Sequence, residues 1–440
     1  MTAPPFALTH VTIITGDAQG TALPDHTLLV GDDGRIAAVG PSAEVLVPHG
    51  YRVIERSAHY VLPGMINAHA HLFADGKPLP QVLTSERAEK LVSIFMHSPF
   101  GKKMLAGRTR RNILTQLSSG VTTIRSLGDV GYEAVKARGD IEAGVYVGPR
   151  LIPSGPLMAV SGGHGAPQIA LISDNPWDAR RNVRINLRNG VGAIKIAATG
   201  GVTDARAIGE AGRPQMTEEE MTAICEEAHN AGILVAAHAQ SKEGITAALR
   251  AGVDTIEHGA GMNAEMIDLF LSNPRSLYGS SALIPTLQAC LPLVKLDRSI
   301  TGIDDVVYAN ASMILDEMLQ GIHDAAANGI TIGMGTDSAL TYVTHYNTWR
   351  EIDLVARYGG IGPSHALHAA TQANAKLLGI HKETGSVAAG MSADLLVVDA
   401  NPLEDLRALA TPNLVGIRGQ LIENPDVTRF PDIDDHLDSL

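Results

Sequence analysis

Aromatic residues and basic runs are scarce in this sequence. Only 4% of its 440 residues are Phe, Trp or Tyr, which leaves few side chains on which nucleic-acid bases or sugar rings could stack. The formal net charge is -13, and no block of Lys and Arg offers a surface to a phosphate backbone. These shortages disfavour a nucleic-acid-binding or carbohydrate-binding module, and we expect no nucleic-acid partner.

Long apolar runs and cysteines are also few. No apolar run reaches the length that spans a membrane, and the N-terminal segment MTAPPFALTHVTIITG lacks the basic start and apolar core of a signal peptide. Of the two cysteines, Cys225 falls within a helical pattern far in sequence from Cys290, which favours free thiols over a disulfide. We therefore expect a cytoplasmic protein with no membrane partner.

Short apolar segments alternate with amphipathic helical patterns between residues 61 and 380. Eight such strand–helix repeats are typical of an α/β fold built as a TIM-type (β/α)8 barrel. Enzymes with this fold keep their catalytic residues at the C-terminal ends of the barrel strands. The predicted strands are VLPGMINAHAH, VTTIRSL, PRLIPSG, GAIKIAA, ILVAAHA, TIEHG, SALIPTL and ITIGMGTD.

The two ends of the chain share a different texture. Residues 1–60 and 381–425 contain alternating or continuous apolar runs between Gly, Asp and Pro turns, which predicts β structure. We expect the two ends to meet in one small β domain that flanks the barrel. Residues 426–440 are acidic and interrupted by proline, so they are predicted to form a loosely packed tail.

Histidines fall at the ends of several predicted strands, which indicates a metal site. His69 and His71 are two residues apart, so on a strand they face the same side with their Cα atoms roughly 6–7 Å apart. His238 and His258 end two consecutive strands and suit a second ion; neutral imidazoles favour Zn²⁺, Mn²⁺ or Ni²⁺. Incidental histidines are the alternative for HxH alone. Glu257 is expected to face away from the interior, because adjacent strand residues face opposite sides.

Lys195 interrupts an apolar strand segment, GAIKIA, in which an uncharged side chain is expected. Burying an ammonium group is unfavourable by several kcal/mol unless something compensates for it. One solution is a lowered pKa and addition of CO₂, which gives a carbamate that can bridge two cations roughly 3.5–4 Å apart. The simpler alternative is a lysine whose tip emerges at the rim, solvated or paired. Together with the histidines, the position favours the carbamate.

Asp337 closes the last predicted strand, in GMGTDS. A carboxylate at this place can bind a metal ion and accept a proton from a water whose pKa the metal lowers to about 7. It can then pass the proton to a leaving nitrogen. A helix N-cap is the alternative role, but the position at the end of the eighth strand favours catalysis.

Together these motifs resemble the amidohydrolase superfamily. PGMINAHAHL, IKIAATGG, AAHAQ, IEHG and GTDS, followed by GMSADLLVVDANP, are most similar to its prolidase-like subgroup with a carboxylated lysine. The resemblance implies a TIM-type barrel with a urease-like β-sandwich and two divalent metal ions, usually Zn²⁺. It also implies a set of six ligands: His69, His71, Lys195 as a bridging carbamate, His238, His258 and Asp337, the last being also the general acid/base.

Three further residues are candidates for substrate binding. His164 lies in the Gly-rich loop VSGGHG that recurs in this subgroup, where it could polarise the scissile carbonyl or stabilise the oxyanion; a structural loop histidine is the alternative. Arg125 could hold a substrate carboxylate or pair with Asp129. Gln240 stands where many prolidase-like members have a tyrosine, a departure that puts plain prolidase activity in doubt.

The sequence therefore predicts a binuclear metal-dependent amidohydrolase that cleaves the amide bond of an N-acyl or peptidyl amino acid. Xaa-Pro dipeptidases, carboxypeptidase-like enzymes and ochratoxin A hydrolases are the activities that the resemblance implies. The alternative is a mononuclear deaminase or an imidazolonepropionase-like hydrolase of cyclic amides, which would not need Lys195. We expect a small-molecule substrate and a homo-oligomer.

Overall fold

The structure is a computed structural model, and it describes residues 4–78, 86–166 and 168–440. The strands within these ranges are β1 (Phe6–Ile14), β2 (Ala22–Val30), β3 (Ile36–Pro41), β4 (Arg52–Glu55), β5 (Tyr60–Pro63), β6 (Met65–Ala70), β7 (Val121–Ser126), β8 (Arg150–Pro153), β9 (Leu157–Ala159), β10 (Ala170–Ile172), β11 (Ala193–Ala197), β12 (Leu234–Ala239), β13 (Thr255–His258), β14 (Ala282–Ile284), β15 (Leu395–Val398), β16 (Leu414–Ile417) and β17 (Gln420–Glu423).

Helices separate most of the central strands. They are α1 (Glu86–His97), α2 (Pro99–Ser118), α3 (Glu133–Glu142), α4 (Pro176–Arg188), α5 (Glu218–Asn230), α6 (Lys242–Ala251), α7 (Ala264–Leu271), α8 (Leu291–Lys295), α9 (Arg298–Thr301), α10 (Asp305–Ala327), α11 (Thr348–Tyr358), α12 (Gly362–His368), α13 (Asn374–Leu377) and α14 (Pro431–Leu437). A short 3₁₀ turn, Leu287–Ala289, follows β14. None of these helices combines the length and apolar character needed to cross a membrane.

Strands from the two ends of the chain lie in one sheet. Its order is β17-β16-β15-β5-β1-β2-β3, with β4 beside β1. The C-terminal strand β15 pairs antiparallel with β5, so that Leu396 stands opposite Leu62. Both of these leucines pack against the central part of the chain, whereas Leu395 and Val397 pack on the other face of the sheet. Because successive side chains of β15 point to opposite faces, one face of this sheet packs against the central part of the chain.

The central strands form two parallel sheets. One has the order β6-β7-β8 and the other β10-β9-β11-β12-β13-β14. Residues 331–338 connect them, since single parallel bridges join Ile332 to Leu283 of β14 and Ser338 to Ala70 of β6. The described strands therefore show a mixed α/β fold of parallel strands and intervening helices without one continuous closed sheet.

Strand parity decides which central side chains reach the interior. On β11, Ile194 and Ile196 are fully buried and pack with the helical layer, beside Val235 of β12. Lys195 lies between them and therefore faces the opposite side, which is the side shared by the parallel strands. Because the strands are parallel, their C-terminal residues gather at one rim. The candidate site lies at this rim.

The predicted loosely packed tail is wrong for the described residues 431–437. They form α14, whose Ile433 and Leu437 are buried against Leu296 and Tyr342. The acidic residues of the tail contact basic partners: Asp438 binds Arg350 and Arg407, and Asp434 also lies near Arg350. The acidic side chains therefore help to hold the tail against the rest of the protein. The sequence could not reveal this role, because these arginines lie far away along the chain.

The docking of α14 predicts the effect of shortening its main apolar anchor. Ile433→Ala should weaken the docking of α14 by about 2–3 kcal/mol, because a buried isoleucine loses its packing. Hydrogen exchange of the α14 amides should then accelerate by about 30- to 150-fold, since local opening becomes easier. The control Asp435→Ala alters an exposed residue of the same helix and should leave exchange unchanged. Equal exchange in both variants would show that the tail is undocked in solution.

Candidate metal centre

Three predicted ligands converge at the rim. Asp337 Oδ1 lies 3.1 Å from His69 Nε2 and 2.9 Å from His71 Nε2. One potential ligand atom from each residue falls within 4.8 Å of the others, and all three side chains are buried. Gly335 passes so close to His69 that a Cβ there would lie 2.5 Å from the histidine Cβ. The segment 331–338 thus needs glycine at position 335 to bring Asp337 to the histidine pair.

The other two predicted histidine ligands lie next to this group. The ring centroids of His258 and His69 are 5.4 Å apart, and those of His258 and His238 are 4.5 Å apart. The strand register explains this arrangement, because Ala239, the residue after His238, stands opposite His258 in the β12–β13 pair. Four imidazoles and one carboxylate are therefore gathered in a single buried cluster.

One ring nitrogen of each histidine has a hydrogen-bond partner, which leaves the other nitrogen available to a metal ion. His69 Nδ1 lies 2.7 Å from Glu257 Oε2, and His71 Nδ1 lies 3.2 Å from the Gly128 carbonyl oxygen. The Nε2 atoms of both rings remain on the side of Asp337. An acceptor on the outer nitrogen fixes the tautomer of a metal-binding histidine and raises its basicity.

His258 and His238 also have a hydrogen-bond partner on one ring nitrogen each, although not on the same nitrogen. His258 Nδ1 lies 2.7 Å from Thr286 Oγ1, which leaves Nε2 of that ring available. His238 is reversed, since its Nε2 lies 3.2 Å from the Gly200 carbonyl oxygen and its Nδ1 remains available. Outer partners of this kind are the expected surroundings of histidine ligands to a divalent ion.

Lys195 is buried in the middle of the interior, and its Nζ has no hydrogen-bond partner among the described residues. Burial lowers the pKa of this amine to about 8, although the nearby carboxylates of Glu257 and Asp337 act in the opposite direction. An orphaned buried amine is rare because it forfeits its hydration without replacement. The position therefore fits an amine that exchanges its proton for another group.

Burial also favours the neutral form of three of these histidines. It lowers the pKa of His71 below the usual range and those of His238 and His258 well below it. The pKa of Asp337 lies well below its usual range, since His69 and His71 outweigh the opposing effect of burial. Neutral imidazoles and an ionised carboxylate are the states in which these groups bind a divalent ion. The donor set thus fits the metal centre that the sequence predicts.

The expected outward orientation of Glu257 is wrong. Its carboxylate is fully buried, on the same inward face as Thr255, and contacts His69. The parity argument failed because the backbone of His258 is left-handed, with φ of 73°, and this ends the alternation at the last strand residue. Both neighbours therefore reach the interior. Asp337 has a left-handed φ of 58° as well, so two of the predicted ligands have a strained backbone.

Arg125 is fully buried, and its ion-pair partner is Glu257 instead of Asp129. Its Nη2 donates to Glu257 Oε1 at 2.9 Å, its Nη1 to Thr255 Oγ1 at 3.0 Å and its Nε to the Ala68 carbonyl oxygen at 2.6 Å. Although burial acts to raise the pKa of Glu257, Arg125 and His69 hold it well below its usual range. A buried arginine inside this fold requires a buried anion, a signal that could have identified Glu257 from the sequence.

His164 stacks on one of the predicted ligands. Its ring lies 4.1 Å from that of His238 with an interplanar angle of 24°. Its Nδ1 lies 2.6 Å from Asp204 Oδ2, which also accepts from Gly165 N at 3.2 Å. A Cβ at Gly201 would approach His164 Nδ1 to 2.4 Å, so this loop position requires glycine. Asp204 was missed because it lies in a loop that has no periodic pattern.

Gln240 follows β12 and is buried. Its backbone N donates to Thr199 Oγ1 at 3.2 Å, and its side-chain Oε1 has no hydrogen-bond partner among the described residues. A buried amide oxygen without a partner is unfavourable unless a ligand satisfies it. Gln240 thus joins Lys195 as a second buried polar group at this rim with an unused hydrogen-bonding atom.

Most of the chain matches a known protein family. A family model described as "Amidohydrolase family" matches residues 60–422. The chain belongs to the amidohydrolase family. It is accordingly a hydrolase that acts on amide bonds, and the resemblance stated from the motifs is confirmed. Family members share a TIM-barrel-type architecture, which agrees with the parallel strands and intervening helices described above.

Individual members of the amidohydrolase family are similar over nearly the whole chain. The crystal structure of a candidate prolidase from Bifidobacterium longum is 49% identical, with a TM-score of 0.88, and the match covers 100% of this chain and 99% of that one. A Xaa-Pro dipeptidase solved with bound methionine in its active site is 27% identical, with a TM-score of 0.80 and coverages of 95% and 100%. Ochratoxinase from Aspergillus niger is 28% identical over 432 residues, covering 92% of this chain and 83% of the relative.

The buried position of Arg125 predicts a large loss of stability on substitution. Arg125→Gln should lower the free energy of unfolding by about 3–5 kcal/mol, because it leaves the Glu257 carboxylate buried without a counter-ion. Denaturant titration would measure the change. Arg184→Gln removes an exposed arginine that is paired with Glu227 and should lose about 0–1 kcal/mol. Unchanged stability together with a raised KM would instead assign Arg125 to the substrate carboxylate.

Proposed function

We propose that this amidohydrolase is a binuclear metal-dependent enzyme that releases the C-terminal amino acid of an N-acyl or peptidyl amino acid. The observation that carries the proposal is the buried Lys195 Nζ, which has no protein partner among the described residues. A mononuclear centre built on His69, His71 and Asp337 would leave this amine unexplained. A second ion that shares a carbamate on Lys195 would explain both the burial and the missing partner.

The surroundings of Lys195 support carbamate formation. CO₂ adds to the neutral amine, and a pKa lowered to about 8 makes that form accessible near neutral pH. Nitrogen and carboxylate ligands in a compact buried cluster suit Zn²⁺, which we propose as the native ion. When bound, the ions supply Lewis acidity and lower the pKa of the attacking water. His69 and His71 are assigned to one ion and His238 and His258 to the other.

Asp337 is the proposed proton shuttle. Its ionised carboxylate accepts a proton from the water that attacks the amide carbonyl and delivers this proton to the departing amine. His69 and His71 keep this carboxylate ionised, and Glu257 holds the His69 ring in place. The backbone of Asp337 is left-handed, a strained conformation that persists only where surrounding contacts hold it.

His164 and Gln240 are the proposed substrate contacts. The Asp204 carboxylate accepts from His164 Nδ1, and in the imidazolium form that such a carboxylate stabilises, Nε2–H would donate a hydrogen bond to the oxyanion that develops on the carbonyl. Gln240 offers its unpartnered side-chain oxygen to a substrate N–H group. The similarity to prolidases and to ochratoxinase supports an amino acid as the leaving group, with an acyl part that varies among these relatives.

The first test combines metal analysis with a substrate screen. The purified protein should contain about two Zn²⁺ per chain and should release free amino acid from Xaa-Pro dipeptides, N-acyl amino acids or ochratoxin A. Lys195→Ala should lose bound metal and nearly all activity, because it removes the group that bridges the ions. The control Lys242→Ala alters an exposed lysine at the start of α6 and should keep both.

Other outcomes of this screen have distinct meanings. One metal ion per chain, together with ammonia released from ring substrates, would assign the enzyme to the mononuclear deaminase type and make Lys195 structural. A Lys195→Ala variant with normal metal content and turnover would remove the carbamate from the mechanism. Mass spectrometry of the native protein for the added CO₂ would distinguish a carbamate from a neutral amine.

The Asp204–His164 pair predicts a selective effect on kcat. Asp204→Asn should lower kcat by about 10- to 100-fold, which corresponds to one lost charge-assisted hydrogen bond. KM and metal content should be unchanged, because the contact strengthens only in the transition state. Asp178→Asn, on the surface of α4, is the control. A raised KM with an unchanged kcat would show instead that His164 binds the substrate ground state.

A further inference from the structure

A buried carboxylate outside the proposed mechanism lies one layer behind the metal centre. Glu351 of α11 has no exposed surface. Its Oε1 accepts from Leu287 N at 2.6 Å and its Oε2 accepts from Gln288 N at 2.8 Å. Both donors belong to the 3₁₀ turn after β14, so one side chain holds two successive backbone N–H groups of this turn.

The residue before these donors is Thr286, which has an unusual backbone. Its φ of 53° is left-handed, a conformation that β-branched residues rarely adopt. Strained backbones persist only where surrounding contacts determine them. Leu287 and Gln288 immediately follow the strained residue, and their hydrogen bonds to Glu351 therefore hold the Thr286 backbone in this conformation.

Thr286 connects the turn to the metal centre. Its Oγ1 lies 2.7 Å from His258 Nδ1, and both residues are buried. His258 is itself left-handed at φ 73°, and the hydrogen bond to Thr286 restrains the direction of its ring. Rotating the Thr286 backbone out of its left-handed conformation would move Oγ1 away from the ring.

A second contact ties the turn to the start of α11. Gln288 Nε2 donates to the Asn347 carbonyl oxygen at 3.2 Å, and Asn347 is the residue before the helix. The Asn347 side chain donates to Asp434 of α14 at 2.9 Å. The helix that carries Glu351 is therefore fixed both to the 3₁₀ turn and to the docked tail.

We propose that Glu351 is a positioning residue for the metal ligand His258, acting through the turn at Leu287 and Gln288 and the hydroxyl of Thr286. The inference rests on the proposed function, because it assigns His258 to a metal ion. It places Glu351, the turn and Thr286 behind His258, and no strand motif indicates these supporting residues. The hydrogen bonds of the Glu351 carboxylate described above go to the turn and not to a predicted metal ligand.

Substitution of Glu351 by glutamine removes one acceptor with little change in shape. Burial raises the pKa of Glu351 to about 8, against the effect of the two backbone N–H groups. Both carboxyl oxygens can accept a hydrogen bond in either protonation state, whereas the amide NH₂ of glutamine cannot. Glu351→Gln therefore confronts one of the two backbone donors with a second donor at any pH.

The experiment measures Zn²⁺ affinity by competition with a chromophoric chelator. It compares the wild-type enzyme with Glu351→Gln, Thr286→Val and the double variant, and it records the thermal midpoint of each. Glu351→Gln and Thr286→Val should each weaken one Zn²⁺ site by about 10- to 100-fold, the usual effect of losing an outer partner of a histidine ligand. The double variant should be no weaker than the weaker single variant, because both substitutions break the same chain of contacts.

The control is Asp353→Asn, which neutralises another carboxylate of α11 that pairs with Arg357 on the outside of the helix. It should retain wild-type affinity at both sites. A lower thermal midpoint for Glu351→Gln with unchanged Zn²⁺ affinity would overturn the positioning role and leave a purely structural one. Independent, multiplicative losses in the double variant would overturn it too. A wild-type protein that binds no Zn²⁺ would instead refute the proposed function on which the inference rests.

Discussion

The buried carboxylate of Glu257 links the interior of the fold to the candidate metal centre. One of its oxygens accepts from Arg125 and the other contacts the His69 ring. Neither the arginine nor the carboxylate would be tolerated alone in this interior, because desolvation of an unpaired charge exceeds what packing provides. The carboxylate that neutralises the buried arginine also contacts His69, a predicted metal ligand. The contacts that allow this interior to fold therefore also place His69.

The strained backbones at the rim follow from the same requirement. A regular strand directs alternate side chains to opposite faces, so it can supply one inward ligand for every two residues. At His258 the left-handed backbone allows two consecutive residues to reach the interior, with Glu257 behind His69 and His258 beside it. The packed surroundings stabilise this conformation, and Thr286, which follows the next strand, is left-handed too and contacts His258 through its hydroxyl. Strain at the strand ends thus increases the density of polar groups around the centre.

The sequence was most informative where a short motif coincides with a strand end. His69, His71 and Asp337 could be chosen because strand parity and parallel topology place such residues at one rim, and the structure brings them within ligand distance of one another. Family membership and hydrolase activity on amide bonds were also predicted and are confirmed by the family model. The prediction from strand alternation was wrong at Glu257, because the left-handed backbone of His258 interrupts the alternation. Asp204 and Glu351 contact their partners across 40 and more than 60 residues, and no local pattern encodes those contacts.

The docked tail shows why composition alone misleads. Acidic residues between prolines are typical of solvated segments, yet Asp434 and Asp438 lie beside Arg350, with Arg407 completing the contact. Arg350 and Glu351 are neighbours on α11 and face different layers, the former towards the tail and the latter towards the turn that carries Thr286. Adjacent helical residues differ by about 100° in direction, so one helix can serve both layers without a break. The tail, the helix and the turn at Leu287 and Gln288 are thereby packed one against the next. Residues that lie outside the candidate metal centre and belong to no motif thus hold the turn beside Thr286, whose hydroxyl contacts His258.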